Sequence, residues 1–144
     1  MWMIRAGEGA YLVDSFRERS CVGIGWNELG DLSIFHDESA LRTKYLDEYP
    51  GQHTSKSSNA IAMIKKFRFD MKVGDQAITY DPSRREYLVG EVVSDYEYTS
   101  EIIDDEDFNH IRKVKWLGCV SRDSLGVSSR NTLGKYIDSI FCKR

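Results

Sequence analysis

The chain has 144 residues, of which 41% are hydrophobic and 30% charged, with two prolines and a formal net charge of -3. That length can bury a core without disulfides or metals, and the composition excludes disorder, collagen-like repetition and a membrane class. A small negative charge also excludes a duplex binder that works by phosphate neutralisation alone. No apolar run approaches the roughly 20 residues that span a bilayer, and the opening Met1-Trp2-Met3-Ile4-Arg5 lacks a signal peptide's apolar region. The expectation is one cytoplasmic domain over residues 1–144, with no membrane contact.

Residues Trp2 to Arg5 predict a short strand, and Ala10 to Arg19 a helix on the spacing of Tyr11, Leu12 and Phe16. Cys21 to Trp26 predicts a buried strand whose end delivers Trp26 into a loop. Ser39 starts a helix carrying Leu41, Tyr45 and Leu46, which Pro50-Gly51 stops. A further helix begins near Ser55 to Ser58 with Ile61, Ile64 and Phe67 on one face. From Val73 the period changes: strands Gln76 to Tyr80 and Tyr87 to Val93 flank a turn at Asp81-Pro82-Ser83-Arg84-Arg85-Glu86 and make a β-hairpin. Arg112 to Val120 alternates as a strand, Ser121 to Leu125 is a capped helical turn, and Tyr136 to Phe141 a closing strand. Strands outnumber helices late in the chain, which favours an α+β fold, a mixed curved sheet or small open barrel with helices outside, over a doubly wound parallel sheet.

Several chemistries lack their residues. Gly23-Ile24-Gly25 and Gly7-Glu8-Gly9 miss the third glycine of a dinucleotide fingerprint, and no glycine-rich loop ends in Lys-Ser or Lys-Thr. No Glu-x-Lys triplet supports a metal-dependent nuclease. His36, His53 and His110 read as surface histidines on separate loops, and Cys21, Cys119 and Cys142 as buried free thiols, so no metal or cofactor is expected. The basic clusters Lys65-Lys66-Phe67-Arg68, Arg84-Arg85 and Arg112-Lys113-Val114-Lys115 read as solvated faces. What remains is a surplus of aromatics near turns and strand ends: Trp26, Tyr80, Tyr87, Tyr96 and Tyr98, with Trp116 as core. An aromatic face stacked on a base contributes roughly 1 to 3 kcal/mol, so two such walls suit a flat heterocycle.

Three blocks carry a resemblance: Trp2-Met3-Ile4-Arg5-Ala6-Gly7-Glu8-Gly9; Gly23-Ile24-Gly25-Trp26-Asn27-Glu28-Leu29-Gly30-Asp31-Leu32; and Thr79-Tyr80-Asp81-Pro82 with Arg85-Glu86-Tyr87-Leu88-Val89-Gly90-Glu91-Val92. Together with Arg112-Lys113-Val114-Lys115-Trp116-Leu117-Gly118, Ser121-Arg122-Asp123-Ser124-Leu125 and Asn131-Thr132-Leu133-Gly134 they resemble the EVE-like domain of modification-dependent restriction proteins. That domain is PUA-like in fold and similar to the YTH readers of N6-methyladenine. By this resemblance Trp26 walls a methyl cage with the small polar Asn27 beside it, and Arg5, Ala6 and Gly7 fall where YTH domains present a Lys-Ser-Asn segment to the base edge. Ala6 and Gly7 lack polar side chains, so edge reading must use backbone groups, Arg5 or another residue, and the identity of the base stays open. Tyr96 or Tyr98 would supply the second wall. Tyr80 and Asp81 would stand at the pocket mouth, where Asp81 either accepts from an exocyclic amine or shapes the Asp-Pro turn.

The resemblance implies a non-enzymatic reader that captures a flipped methylated adenine or modified cytosine of DNA, partnered by or fused to an endonuclease. Lys56, Arg84, Arg85 and Arg130 are then the candidate phosphate contacts. Rival readings are a PUA-like domain for modified RNA, an ASCH-like enzyme on a nucleobase or small molecule with Asp81 or Glu86 as base, and an interaction module with Trp26 in its core.

Overall fold

The computed structural model describes residues 1–99, 102–103, 106–107 and 109–128. Its main elements in chain order are β1 (Trp2–Met3), α1 (Val13–Arg19), β2 (Cys21–Ile24), α2 (Glu38–Glu48), α3 (Thr54–Lys65), β3 (Gln76–Asp81), β4 (Glu86–Val92), β5 (Glu97–Tyr98), β6 (Ile102–Ile103), β7 (Glu106–Asp107) and β8 (His110–Ser121). Short 3-10 turns occupy Glu8–Ala10, Asn27–Leu29, Leu32–Ile34 and Arg122–Ser124, and a π-helical turn, Lys66–Asp70, prolongs α3.

One strongly curled half-barrel sheet runs β1-β3-β4-β8-β2, with β5 pairing β8 beyond the end of β4 and three helices packed on it. β1 runs parallel to β3, and the other pairs of this sheet are antiparallel. This is the mixed, curved sheet with flanking helices that the sequence predicts. Between Val89 and Gly90 the β4–β8 register shifts. A Cβ at Gly90 would lie 2.5 Å from Val114 and 2.8 Å from the Lys115 carbonyl, so only glycine allows the two strands this approach.

The amphipathic spacing of α3 is realised: Ile61 and Ile64 are fully buried, joined by Phe67 from the π turn and by Phe16, Leu88, Val92 and Val114. Each such side chain contributes about 1.5 to 3 kcal/mol of transfer free energy. A smaller cluster, Met3, Ile78 and Tyr87 with Tyr80 and Val89 against it, covers the other face of β3 and β4. Among the described residues no helix is long and apolar enough to cross a membrane.

Several boundaries differ from the sequence reading, each for a local reason. α1 starts at Val13 and not at Ala10, because Gly9 and Ala10 adopt φ of 65° and 61° and the chain is still turning there. α2 is capped by Asp37, whose Oδ1 accepts from the Ala40 N–H at 2.8 Å, two residues ahead of the expected Ser39. His53 caps α3: its Nδ1 accepts from the Ser55 N–H at 3.2 Å. His110 is not on a surface loop but fully buried at the start of β8. Cys21 is buried as expected, with its thiol pushed up to about 11 by burial, whereas Cys119 is exposed on β8. Arg112 belongs to no solvated face either, since only 1% of it is accessible. The expected strand Tyr136 to Phe141 and Cys142 lie outside the described residues.

Candidate functional site

Where β1 ends, the chain cannot continue as a strand. Arg5 to Ala10 folds into a loop with three left-handed residues, Gly7, Gly9 and Ala10, before α1 begins. Gly7, at φ 78°, passes under the Tyr11 ring so closely that a Cβ would lie 2.3 Å from it. The Ala6 carbonyl accepts from the Leu12 N–H at 2.8 Å and the Gly7 carbonyl from the Ala10 N–H at 3.3 Å, which closes the loop onto the helix.

This loop forms one side of a cleft of about 230 Å³. Ala6, Gly7, Gly9 and Ala10 line it from the loop, Met3 and Ile4 from the strand end, and Tyr80 and Pro82 from β3 and its turn. Arg5 is the one charged residue in the lining. It is exposed and has no ion-pair or hydrogen-bond partner among the described residues. The Tyr80 ring leans on Tyr87 across the hairpin, centroids 4.9 Å apart and planes at 41°. Four of the expected base-contacting residues, Arg5, Ala6, Gly7 and Tyr80, therefore meet here.

Asp81 stands next to Tyr80 but does not face the cleft. It is wholly buried, its Oδ1 accepting from the Ser83 N–H at 3.0 Å, the Ser83 hydroxyl at 2.7 Å and the Arg84 N–H at 3.3 Å. Oδ2 accepts from Arg17 of α1 at 3.0 Å, and Arg17 also reaches Asp14 at 2.8 Å and Glu86 at 3.5 Å. Burial opposes ionisation, yet the donors from Ser83 and Arg17 prevail and hold the Asp81 carboxyl below its usual range. Of the two roles open to Asp81, shaping the turn is the one its contacts serve. Through Arg17 it also ties that turn to the helix which follows the cleft loop.

The remaining expected pocket residues gather elsewhere. Trp26, two residues beyond β2, adopts a left-handed conformation, φ 63° and ψ 43°, unusual for a bulky side chain and worth roughly 1 to 2 kcal/mol of strain. The ring is half-buried against the main core, which also holds Tyr45, whose hydroxyl donates to Gln52 at 2.8 Å. The Trp26 carbonyl accepts from the Leu29 N–H at 3.1 Å and from His110 Nε2 at 3.0 Å. A carbonyl only accepts, so Nε2 carries the proton, and Nδ1 then accepts from the Tyr96 hydroxyl at 2.7 Å, whose oxygen accepts from the Leu32 N–H at 3.0 Å. Burial keeps His110 below its ordinary pKa and pushes the Tyr96 hydroxyl well above its own. The Arg68 guanidinium lies over the Tyr96 ring, 5.4 Å from its centroid, and the exposed Tyr98 flanks His110 at 5.8 Å. Asn27 Oδ1 accepts from the Asn109 N–H at 3.3 Å. The structure thus does not bring Trp26, Asn27, Tyr96 or Tyr98 to the cleft beside Arg5.

A family model described as a domain of unknown function, DUF8426, matches residues 2–132 and so covers both regions. The chain belongs to the DUF8426 family. No curated protein and no solved structure matches it.

On this DUF8426 domain the expected phosphate contacts differ among themselves. Lys56 is exposed in the first turn of α3. Arg84 is exposed in the turn next to the cleft-lining Pro82, 3.8 Å from Asp81 and 4.0 Å from Glu86. Arg85 forms a fork on Asp123, at 3.1 and 2.6 Å, and must leave it to meet a phosphate. Arg130 lies outside the described residues. Sequence reasoning missed Arg17 and His110, whose partners lie 64 and 84 residues away along the chain. No local pattern signals either. Among the described residues no group of three or more His, Cys, Asp or Glu is placed to hold a metal.

Proposed function

We propose that this chain is a reader of nucleic acid, holding one flipped base, a methylated adenine or a modified cytosine of DNA, in the cleft between the Arg5–Ala10 loop and Tyr80. The observation that carries the reading is the convergence of Arg5, Ala6, Gly7 and Tyr80 on a single cleft, since these are the positions where the resemblance to EVE-like and YTH domains puts base contacts. About 230 Å³ falls below the roughly 300 Å³ at which pockets for drug-sized ligands begin, so one base suits it better than a dinucleotide. Tyr80 offers a ring to stack on, and the exposed Arg84 follows the cleft-lining Pro82 by two residues, so a flanking phosphate drawn to it would offset part of the cost of flipping. Binding is favoured over turnover because Asp81, one of the two bases an enzyme would use, is buried with both oxygens engaged, and the other, Glu86, is paired with Arg17 and Arg84.

In this reading the domain is the specificity module of a modification-dependent restriction system, working in the cytoplasm on modified DNA with an associated or fused endonuclease. The test is the affinity of the purified protein for short oligonucleotides bearing 5-methylcytosine, 5-hydroxymethylcytosine or N6-methyladenine against unmodified ones. At least one modification should bind roughly tenfold more tightly, and Tyr80→Ala should remove the difference. Equal affinity across the set overturns the reading, and tighter binding of the matched RNA would move it to RNA.

A further inference from the structure

The cleft's hydrogen-bonding inventory is lopsided. Its one charged side chain, Arg5, carries five N–H donors in a planar fork and no acceptor. Among the described residues no carboxylate or side-chain amide lines it; Met3, Ile4, Ala10 and Pro82 add apolar surface, and Tyr80 adds a single hydroxyl. Of the loop carbonyls that could have supplied acceptors, those of Ala6 and Gly7 already receive the Leu12 and Ala10 N–H groups. Asp81, the nearest candidate to accept from an amine, is saturated by Ser83, Arg84 and Arg17. Arg5 itself has no protein partner among the described residues, in contrast to the neighbouring Arg17, Arg84 and Arg85.

We infer that Arg5 is the specificity-determining residue of the cleft and that it selects a base edge with two adjacent acceptors and no donor between them. This rests on the cleft being a base site at all. The O2 and N3 atoms of a cytosine present such an edge, as do O6 and N7 of a guanine, and a guanidinium spans either with two parallel N–H···acceptor bonds. An adenine has no such pair: next to N1 or N7 stands its exocyclic amine, a donor, so the guanidinium finds one acceptor where cytosine or guanine offers two and its second N–H meets a donor. N6-methylation leaves that N–H in place. The cleft therefore rejects adenine derivatives even though their size and aromatic face suit Tyr80.

The experiment measures affinities of the full chain for oligothymidine strands carrying one central 5-methylcytosine, 5-hydroxymethylcytosine or N6-methyladenine, with Arg5→Lys and Arg5→Ala alongside. Thymine serves as background because an N–H separates its two carbonyls. The tightest cytosine probe should exceed the adenine probe by about tenfold or more. Arg5→Lys, which keeps the charge and loses the fork, should reduce that ratio to within about threefold at unchanged melting temperature. Preference for N6-methyladenine, or full discrimination in Arg5→Lys, overturns the inference and leaves the reader intact. If no probe binds better than the plain thymidine strand, the reader proposal itself falls, and the role of Arg5 with it.

Discussion

The cleft beside Arg5 and the cluster around Trp26 are built from similar residues, aromatic rings next to strand ends with a few polar groups, yet their polar groups are in opposite states. Around Trp26 the groups bond one another: the Trp26 carbonyl accepts from Leu29 and His110, His110 from Tyr96, Tyr96 from Leu32, and the Asn27 amide oxygen from Asn109. In the cleft Arg5 faces open space with no protein partner among the described residues. A satisfied network holds its own backbone, while an unsatisfied donor beside a hollow is available to something else. Aromatic residues at strand ends mark both regions equally, and only the hydrogen-bond accounting separates them.

The largest effect that tests this contrast is Trp26→Ala. We expect a loss of about 2 to 3 kcal/mol in urea unfolding, below the full core value because the ring is half-exposed, with base affinity at the cleft unchanged. Unchanged stability with lost binding would instead make Trp26 part of the site and join the two regions. Next comes Gly7→Ala, which forces a side chain to φ 78° and into the Tyr11 ring; about 2 kcal/mol should be lost, and binding should fall further than stability explains.

Acid sharpens the comparison, because His110 is held neutral in the folded chain while an unfolded histidine takes up a proton near pH 6.5. Its folded pKa is depressed, so below pH 6.5 the unfolded state binds more protons and stability declines as pH falls. Asp81 and Asp75 are also depressed, Asp75 by the Trp2 indole, and add a second decline below about pH 4. In His110→Gln the first decline should vanish and the second remain, as read from denaturation midpoints against pH. The smallest structural effect belongs to Arg5→Ala: an exposed side chain without a protein partner should leave the melting temperature within error while abolishing selective binding.

Much of this architecture was legible in the sequence, and the reasons it failed elsewhere are physical. The apolar spacing of Ile61, Ile64 and Phe67 and the change of period at Val73 report α3 and the hairpin, because burial on one face is a local pattern. The start of α1 was missed because left-handed φ at Ala10, a good helix former, follows from the loop around it and not from its own propensity. For His110 and Arg112 polarity alone suggests exposure, while what makes their burial tolerable are carbonyls distant in sequence, those of Trp26 for the one and Phe67, Met71 and Ser94 for the other. Of the residues that the resemblance groups into one pocket, Arg5, Ala6, Gly7 and Tyr80 line one cleft, while Trp26 packs against the main core, a separation that no local sequence pattern encodes.

Arg112 carries a consequence for how the chain opens. Its guanidinium, buried and with no carboxylate in ion-pair reach among the described residues, donates to the Phe67 and Met71 carbonyls at the end of the helical layer and to the Ser94 carbonyl beyond β4. If the π-helical turn frays or the Ser94 loop lifts, a desolvated cation loses the acceptors that make its burial tolerable. Local opening at any of these three places is thereby coupled to the others. Amide hydrogens around Met71, Ser94 and Arg112 should consequently exchange with solvent as one cooperative unit, slower than the loop at Arg5, which has freedom to breathe alone.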